Sequence, residues 1–427
     1  MKKKWFVAML SLFLIFALSA CSSSGSGSSG GKVTVDVFQY KVEFKNQFAH
    51  LVSQYKKVHP NVTINVTTVG GGSDYGAALK SKFASGSEPA IYNIGGPQDL
   101  HDWKGKLADL SDTQAAKDAL PGTLAGVTEG KVVYGLPYNE EGYGLLYNKD
   151  VFKKAGIDPA SIKSSADLAN VAAELDQKKA QLGIQAVFAF PVKEQWVTGL
   201  HSSNVFLSPE FGENVSNAYK SKTVSFKYGQ QFKQYIDLQQ KYSVQPTASM
   251  DYATQVEQLF SNGKVAMIQQ GDWVSTTIQG IDKNFEKNNV GLLPIPIDGY
   301  KTDSIPVGVP MYWAVNSNKD ANTIKAAKDF LDWMNTSSQG KSIVLNDFQF
   351  IPAYKGYDAS KIQDSIAKEV YSYAQKKKTI GWIFMGYPTG WGMNTLGADI
   401  QQYTSGKMSW NALEKDAENA WKTNRGQ

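Results

Sequence analysis

From Lys32 to Tyr40 the chain reads KVTVDVFQY, with apolar and polar positions alternating among β-branched residues, and this predicts a strand. Phe44, Phe48, Leu51, Val52 and Tyr55 then recur at the spacing of one helix face, and the run stops near His59-Pro60. Val62–Val69 returns to alternation, Asp74–Ser85 reads as a helix, and Ala90–Ile94 reads as a third strand. Strands separated by helices in this way predict right-handed βαβ units and a parallel sheet, whose ligand-holding loops lie at the carboxyl ends of its strands.

Farther along, Val132–Pro137, Gly144–Asn148, Lys264–Gln269 and Met311–Asn316 have the composition of strands. Helices are expected over Asp150–Ala155, Ser165–Gln181, Tyr228–Tyr242, Thr254–Asn262, Ile324–Met334 and Asn411–Lys422. Pro294-Ile295-Pro296 and Ile305-Pro306 mark a stiff connection, read as a crossing between two halves of an α/β protein. No internal repeat is present.

At 427 residues the chain has room for two or three domains, and 12% aromatic against 19% charged residues excludes disorder and a coiled coil. The net charge of +5 falls to +2 without the first 20 residues, which carry Lys2, Lys3 and Lys4, so nothing points to nucleic acid. One cysteine leaves no internal disulfide, and the four scattered histidines fit no zinc spacing. The run Gly70-Gly71-Gly72-Ser73-Asp74 lacks the Gly-Lys-Ser/Thr ending of a phosphate loop, and Asp74 is expected to cap the next helix instead. Neither a metal nor a cofactor is expected.

The N-terminus reads as an address. Residues 1–20 combine three lysines with an apolar run too short to span a bilayer, and Leu18-Ser19-Ala20-Cys21 resembles the bacterial lipobox, in which the cysteine becomes the lipid-modified first residue. Residues 21–31 continue as a Ser/Gly tether. A lipid at Cys21 would hold the mature chain at the outer face of the cell membrane of a bacterium of Gram-positive type.

Four passages together resemble the extracellular solute-binding proteins that serve bacterial carbohydrate transporters of the ATP-binding-cassette type. They are LKSKFASGSEP (Leu79–Pro89) leading into IYNIGG, GYGLLYNKDVFKKAGID (Gly142–Asp158), FSNGKVAMIQQGDW (Phe260–Trp273), and GVPMYWAVN (Gly308–Asn316) followed by Ala-Ala-Lys-Asp-Phe-Leu. The resemblance implies a two-lobed α/β fold of the periplasmic-binding-protein type (class II), with a hinge and an interlobe cleft. Crossings are expected near Glu140–Gly144, Pro296–Tyr300 and Val344–Phe348. Lobe one would then hold residues 32–141 and 300–345, and lobe two 142–299 and 346–427. It also implies a monomer that closes on a neutral oligosaccharide and delivers it to membrane permease subunits.

A sugar presents apolar C–H faces and a rim of hydroxyls, so its site needs flat rings and planar polar groups. The resemblance places Trp273 and Trp391 as aromatic platforms, with Trp196 as a third. Asp272 beside Trp273 is expected to accept hydroxyl protons. Glycines on both sides of Trp391 predict an exposed turn. Of Tyr312 and Trp313, one should face the cleft, and Tyr312 is favoured; Trp382 and Phe384 fit cleft or core equally. Gln39, Lys41 and Glu43 follow the first strand, and Gln98 and Asp99 follow the third, at the edge where polar contacts belong. Glu140 is expected to face the cleft from the hinge, with Glu141 turned the other way if the segment is extended.

Glu140, Asp99 and Asp272 also admit a secreted glycoside hydrolase, which works through two carboxylates about 5–10 Å apart. The anchor and the aromatics admit a glycan-binding surface adhesin. Carboxylates accept hydroxyl protons in plain binding sites too, and no nucleophile-elbow or zinc-protease motif is present, so a binding protein without enzymatic activity is the better reading.

Overall fold

The computed structural model describes residues 31–69 and 74–426. The signal segment, Cys21, nearly all of the tether and the run Gly70–Ser73 lie outside them. No helix among the described residues is long and apolar enough to cross a membrane.

Two sheets organise the molecule into two lobes. The first has the strand order Val62–Thr68, Val33–Gln39, Ile91–Ile94, Tyr312–Val315, Leu136–Pro137. Val33–Gln39 runs parallel to both Val62–Thr68 and Ile91–Ile94, as the βαβ reading requires, and Tyr312–Val315 returns antiparallel to Ile91–Ile94. The connecting helix Lys45–Val58 buries Phe48, Leu51 and Tyr55, the stripe legible in the sequence. Asp74 caps the helix Tyr75–Ala84 by accepting from the Ala77 amide at 3.0 Å.

The second sheet centres on Glu141–Asn148, all eight of whose residues are buried. A strand covered on both faces is apolar throughout rather than alternating, which suits YGLLY here. It pairs antiparallel with Val265–Gly271, Val290–Leu293 and Ile305–Gly308. Gly144 has no room for a side chain, since a Cβ there would lie 2.3 Å from the Leu293 carbonyl oxygen.

Sheet membership moves two of the crossings. Between Pro137 and Glu141 the chain passes from the first sheet to the second. The second passage lies between Gly308 and Tyr312, not at 296–300, because Ile295 and Ile297 pack in the second lobe's core and Ile305–Gly308 joins its sheet. The first lobe also does not end at 345. Phe348 and Phe350 pack against Phe44, at 5.7 and 4.7 Å between ring centroids, and Ala353 and Tyr354 share that core. The third passage therefore follows Tyr354, and Ile362 and Ile366 lie in the second core.

Two sequence expectations change locally. Val132–Pro137 is two short strands, Val132–Val133 and Leu136–Pro137, broken where Gly135 passes so close to Tyr312 that a Cβ would sit 2.8 Å from the tyrosine Cβ. The helix expected at Thr254–Asn262 is a wider-turned π-helix, Ala253–Phe260.

Candidate functional site in the interlobe cleft

A cavity of about 620 Å³ lies between the lobes, bordered by the loops after the first and third strands on one side and by the second lobe's aromatic residues on the other. Lobe one contributes the polar groups Lys41 and Glu43 after the first strand, Asn93 on the third, and Gln98 and Asp99 just after it, together with the rings of Tyr40, Tyr75 and Trp103. Lobe two contributes Trp196, His201, Trp273, Trp382 and Phe384.

These rings form one continuous wall. His201 sits in its middle, with centroids 5.2 Å from Trp196, 5.1 Å from Trp273, 5.8 Å from Trp382 and 5.3 Å from Phe384. Behind it, Tyr143 stacks on the imidazole at 4.5 Å and donates to the His201 carbonyl oxygen at 2.8 Å. Burial, with the Lys41 charge adding to it, pushes the His201 imidazole down to about 3, so this ring is uncharged at neutral pH. Two indoles are fixed by their N–H groups: Trp196 donates to Glu194 Oε2 and Trp273 to Gln270 Oε1, both at 2.8 Å.

The lobes touch at the rim. Gln98 Nε2 donates to Thr389 Oγ1 at 3.1 Å, and Arg425 donates to Gln98 Oε1 at 2.5 Å. Arg425, the one arginine of the chain, lies over the rings of Tyr219 and Trp421 at 5.2 and 5.6 Å.

Of the residues singled out from sequence, Lys41, Glu43, Gln98, Asp99, Trp196 and Trp273 come together on the cavity. Burial holds the Asp99 carboxyl up at about 6, although it accepts the Gly95 N–H at 2.6 Å. Burial also raises Glu43, opposed by Lys41.

Five others lie off the cavity wall. Gln39 is fully buried and spends its amide on the local loop, donating to the Lys41 carbonyl and Thr68 Oγ1 and accepting the Lys41 N–H at 2.7 Å. Asp272 accepts the Gly142 N–H at 2.9 Å, pinning the hinge strand, and burial followed by the Glu141 charge raises its carboxyl. Tyr312 packs with Phe38, Tyr92 and Val127 in a first-lobe cluster, while Trp313 stacks on Tyr138 at 4.4 Å; the strand is covered on both faces, so neither ring is on the wall.

Trp391 is 0% exposed, donates to the Ala417 carbonyl oxygen at 2.7 Å and packs edge-on against Tyr387 and Trp421. The glycines beside it, Gly390 and Gly392, border the cavity, and the indole turns inward behind them. Glu140 and Glu141 exchange roles: Glu141 is on the wall, paired with Lys41, while Glu140 bridges to Ile351 through its amide at 2.9 Å. Of the three carboxylates that suggested a hydrolase, only Asp99 therefore borders the cavity.

Sequence reasoning passed over Asn93, His201 and Tyr252, and left Trp382 and Phe384 undecided. Trp382–Phe384, two apart, fit alternation with one side facing the cleft. A lone histidine in GLHSS and an asparagine in IYNI carry no signal of their own.

A family model described as bacterial extracellular solute-binding protein matches residues 41–341. A melibiose/raffinose/stachyose-binding protein of Bacillus subtilis (strain 168) is 24% identical over 363 residues, covering 80% of this chain and 79% of its own length. A multiple sugar-binding protein of Streptococcus mutans is 25% identical, with 75% of each chain covered. Among solved structures, a chitin oligosaccharide binding protein superposes with a TM-score of 0.77 at 21% identity over 92% of this chain and 100% of its own. The apo form of RafE from Streptococcus pneumoniae gives 0.71 at 20% identity over 94% and 100%. The two lobes, the cleft between them and a family match across most of the sequence agree, and the chain belongs to the bacterial extracellular solute-binding proteins.

Proposed function

We propose that this protein captures a neutral oligosaccharide in the interlobe cleft and delivers it to the permease of an ATP-binding-cassette importer. The observation that carries the reading is a cleft that sets the ring wall of lobe two, Trp196, Trp273, Trp382 and Phe384, against Lys41, Glu43, Asn93, Gln98 and Asp99 of lobe one. Rings cover the C–H faces of a sugar, and carboxylates, amides and ammonium groups take its hydroxyls. Charge favours a neutral guest over an acidic one. The wall carries Glu43, Asp74, Asp99, Asp102, Glu141 and Glu194 against Lys41 and Lys80, and Lys41 is paired with Glu141. The sugar-binding names of relatives in Bacillus and Streptococcus support the same class of ligand.

In this reading the ligand docks on the ring wall, and closure adds the polar contacts of lobe one; the closed form is favoured because it binds better. Lipidation of Cys21 keeps the protein beside its permease. Isothermal titration of the chain with raffinose, stachyose, chitin oligosaccharides and glucuronic acid tests the ligand class. Heat of binding with at least one neutral sugar and none with the acid is expected; no binding to any neutral sugar refutes the reading. Mass spectrometry of the membrane-extracted protein tests the anchor, and stimulation of the ATPase of a reconstituted importer tests delivery.

A further inference from the structure

We propose that Asn93 sets the ligand specificity of the cleft, its carboxamide donating to one ring hydroxyl of the bound sugar and accepting from the adjacent one. The inference rests on the sugar-binding reading above and adds to it the group that reads the ligand.

Asn93 lies on the strand Ile91–Ile94, directly opposite Trp313 in the antiparallel ladder, and it borders the cavity while being 1% exposed. Neither Nδ2 nor Oδ1 has a hydrogen-bond partner among the described residues. A buried amide with both ends unmet is costly, and such groups in native proteins call for a partner that completes them. The hydroxyl at its backbone is already committed: Tyr75 Oη accepts the Asn93 backbone N–H at 2.7 Å and gives its own proton to the Phe38 carbonyl at 3.0 Å. Asp99, next along the same edge, takes the Gly95 N–H.

Two more buried polar atoms on this cavity are unmet among the described residues, Tyr40 Oη on the same lobe and Trp382 Nε1 on the other. Trp382 thereby differs from Trp196 and Trp273, whose N–H groups are engaged within the protein. Donors are thus left open on both walls and acceptors on lobe one, and of these three groups only the carboxamide holds its donor and its acceptor on two separate atoms side by side. A carboxylate accepts only and an ammonium donates only, whereas neighbouring sugar hydroxyls call for both. A site built to hydrogen-bond a hydroxyl rejects the analogue lacking it far more strongly than a shape-matched apolar pocket does.

The test uses the wild-type chain, Asn93→Leu and Asn93→Asp, titrated with raffinose, stachyose and chitin oligosaccharides, then with monodeoxy analogues of whichever binds tightest. Asn93→Leu should lose about ten- to hundredfold in affinity, the range for a buried partner left unmet. Two deoxy analogues, at adjacent ring positions, should lose similarly on the wild type and little further on Asn93→Leu; a purely structural role would leave that coupling at zero. Asn93→Asp keeps the shape and loses the donor, so it decides the matter should the leucine variant fail to fold, and one of the two deoxy penalties should vanish in it. Wild-type binding with unchanged affinity in the variants, or with no coupling to any hydroxyl, overturns this assignment alone. Absence of binding to every sugar by the wild type sinks the ligand class and this assignment with it.

Discussion

Lys41, in the loop after the first strand, and Glu141, the first residue of the second lobe's central strand, form an ion pair across the hinge with each side chain only 4% exposed. Asn139 Nδ2 adds a hydrogen bond to Glu141 Oε1 at 3.1 Å, and the ammonium lies 5.9 Å from the Trp273 ring. The pair thus joins the two lobes at the floor of the cleft. Removing one member strands the other charge in a site with little water. Lys41→Met should therefore lower stability by about 3–5 kcal/mol, and the double variant Lys41→Met/Glu141→Gln should recover part of that loss. Urea unfolding of the wild type, Lys41→Met, Glu141→Gln and the double variant measures the coupling; a double-variant loss equal to the sum of the two single losses would show that the charges do not depend on each other.

Two tryptophans expected to act alike should separate. Trp391→Ala empties a fully buried site and removes the bond to Ala417, so it should cost about 3–5 kcal/mol of stability. Trp273→Ala takes a ring from the cavity wall and should weaken sugar binding by about 1–3 kcal/mol. Paired denaturation and titration of both variants check the contrast, which fails if Trp391→Ala folds as firmly as the wild type.

Glu140 carries a pH dependence of known sign. Burial raises its carboxyl from 4.5 to about 7 in the folded chain. Below pH 4.5 both states hold the proton. Between 4.5 and 7 the unfolded chain has released it and the folded chain keeps it, so this group's contribution to stability is lost as pH rises through that window. Glu140→Gln should remove its part of the slope, giving a smaller fall in melting temperature from pH 5 to pH 8 than the wild type shows. Asp99, raised to about 6, contributes in the same direction and stays in both proteins. An identical slope in the two proteins would dismiss the burial account.

Arg425 and Gln98 tie the C-terminal helix region to the first lobe. The guanidinium also donates to the Gly386 carbonyl on its own lobe, so one side chain spans the rim. Arg425→Gln should loosen that contact and increase the radius of gyration of the ligand-free protein in small-angle scattering, with the sugar-bound radius unchanged. A radius equal to the wild type's without ligand would remove Arg425 from the control of closure.

The stripe through Phe48, Leu51 and Tyr55 is legible because the helix meets one core on one face, and the alternation of KVTVDV because Val35 and Val37 share that core; past Val37 the strand is buried on both faces, with Phe38 in a second cluster. The hinge was harder to place. Pro294-Ile295-Pro296 reads as a breaker from composition, yet its isoleucine is core, and proline says nothing about which lobe a neighbour packs in. Glu140 and Glu141 show the limit at the site. Side chains alternate once a strand begins, but the residue at which it begins fixes the phase, and a slip of one inverts every assignment. Trp391 failed for a related reason: its glycines do mark an open edge, but it is their backbone that borders the cleft. Asn93 and His201 became legible only when chain segments far apart in sequence met around one cavity.

The wall of Trp196, Trp273 and Trp382 gives this protein a built-in optical gauge. Indole emission follows the polarity around the ring, and a sugar seated in the cleft as proposed would displace water from these three and from Trp103 across it, while Trp313, Trp391 and Trp421 stay sealed as a steady background. Occupancy of the cleft is therefore readable from intrinsic fluorescence without any dye, and replacing the three one at a time by phenylalanine would show which stretch of a long glycan rests on which ring.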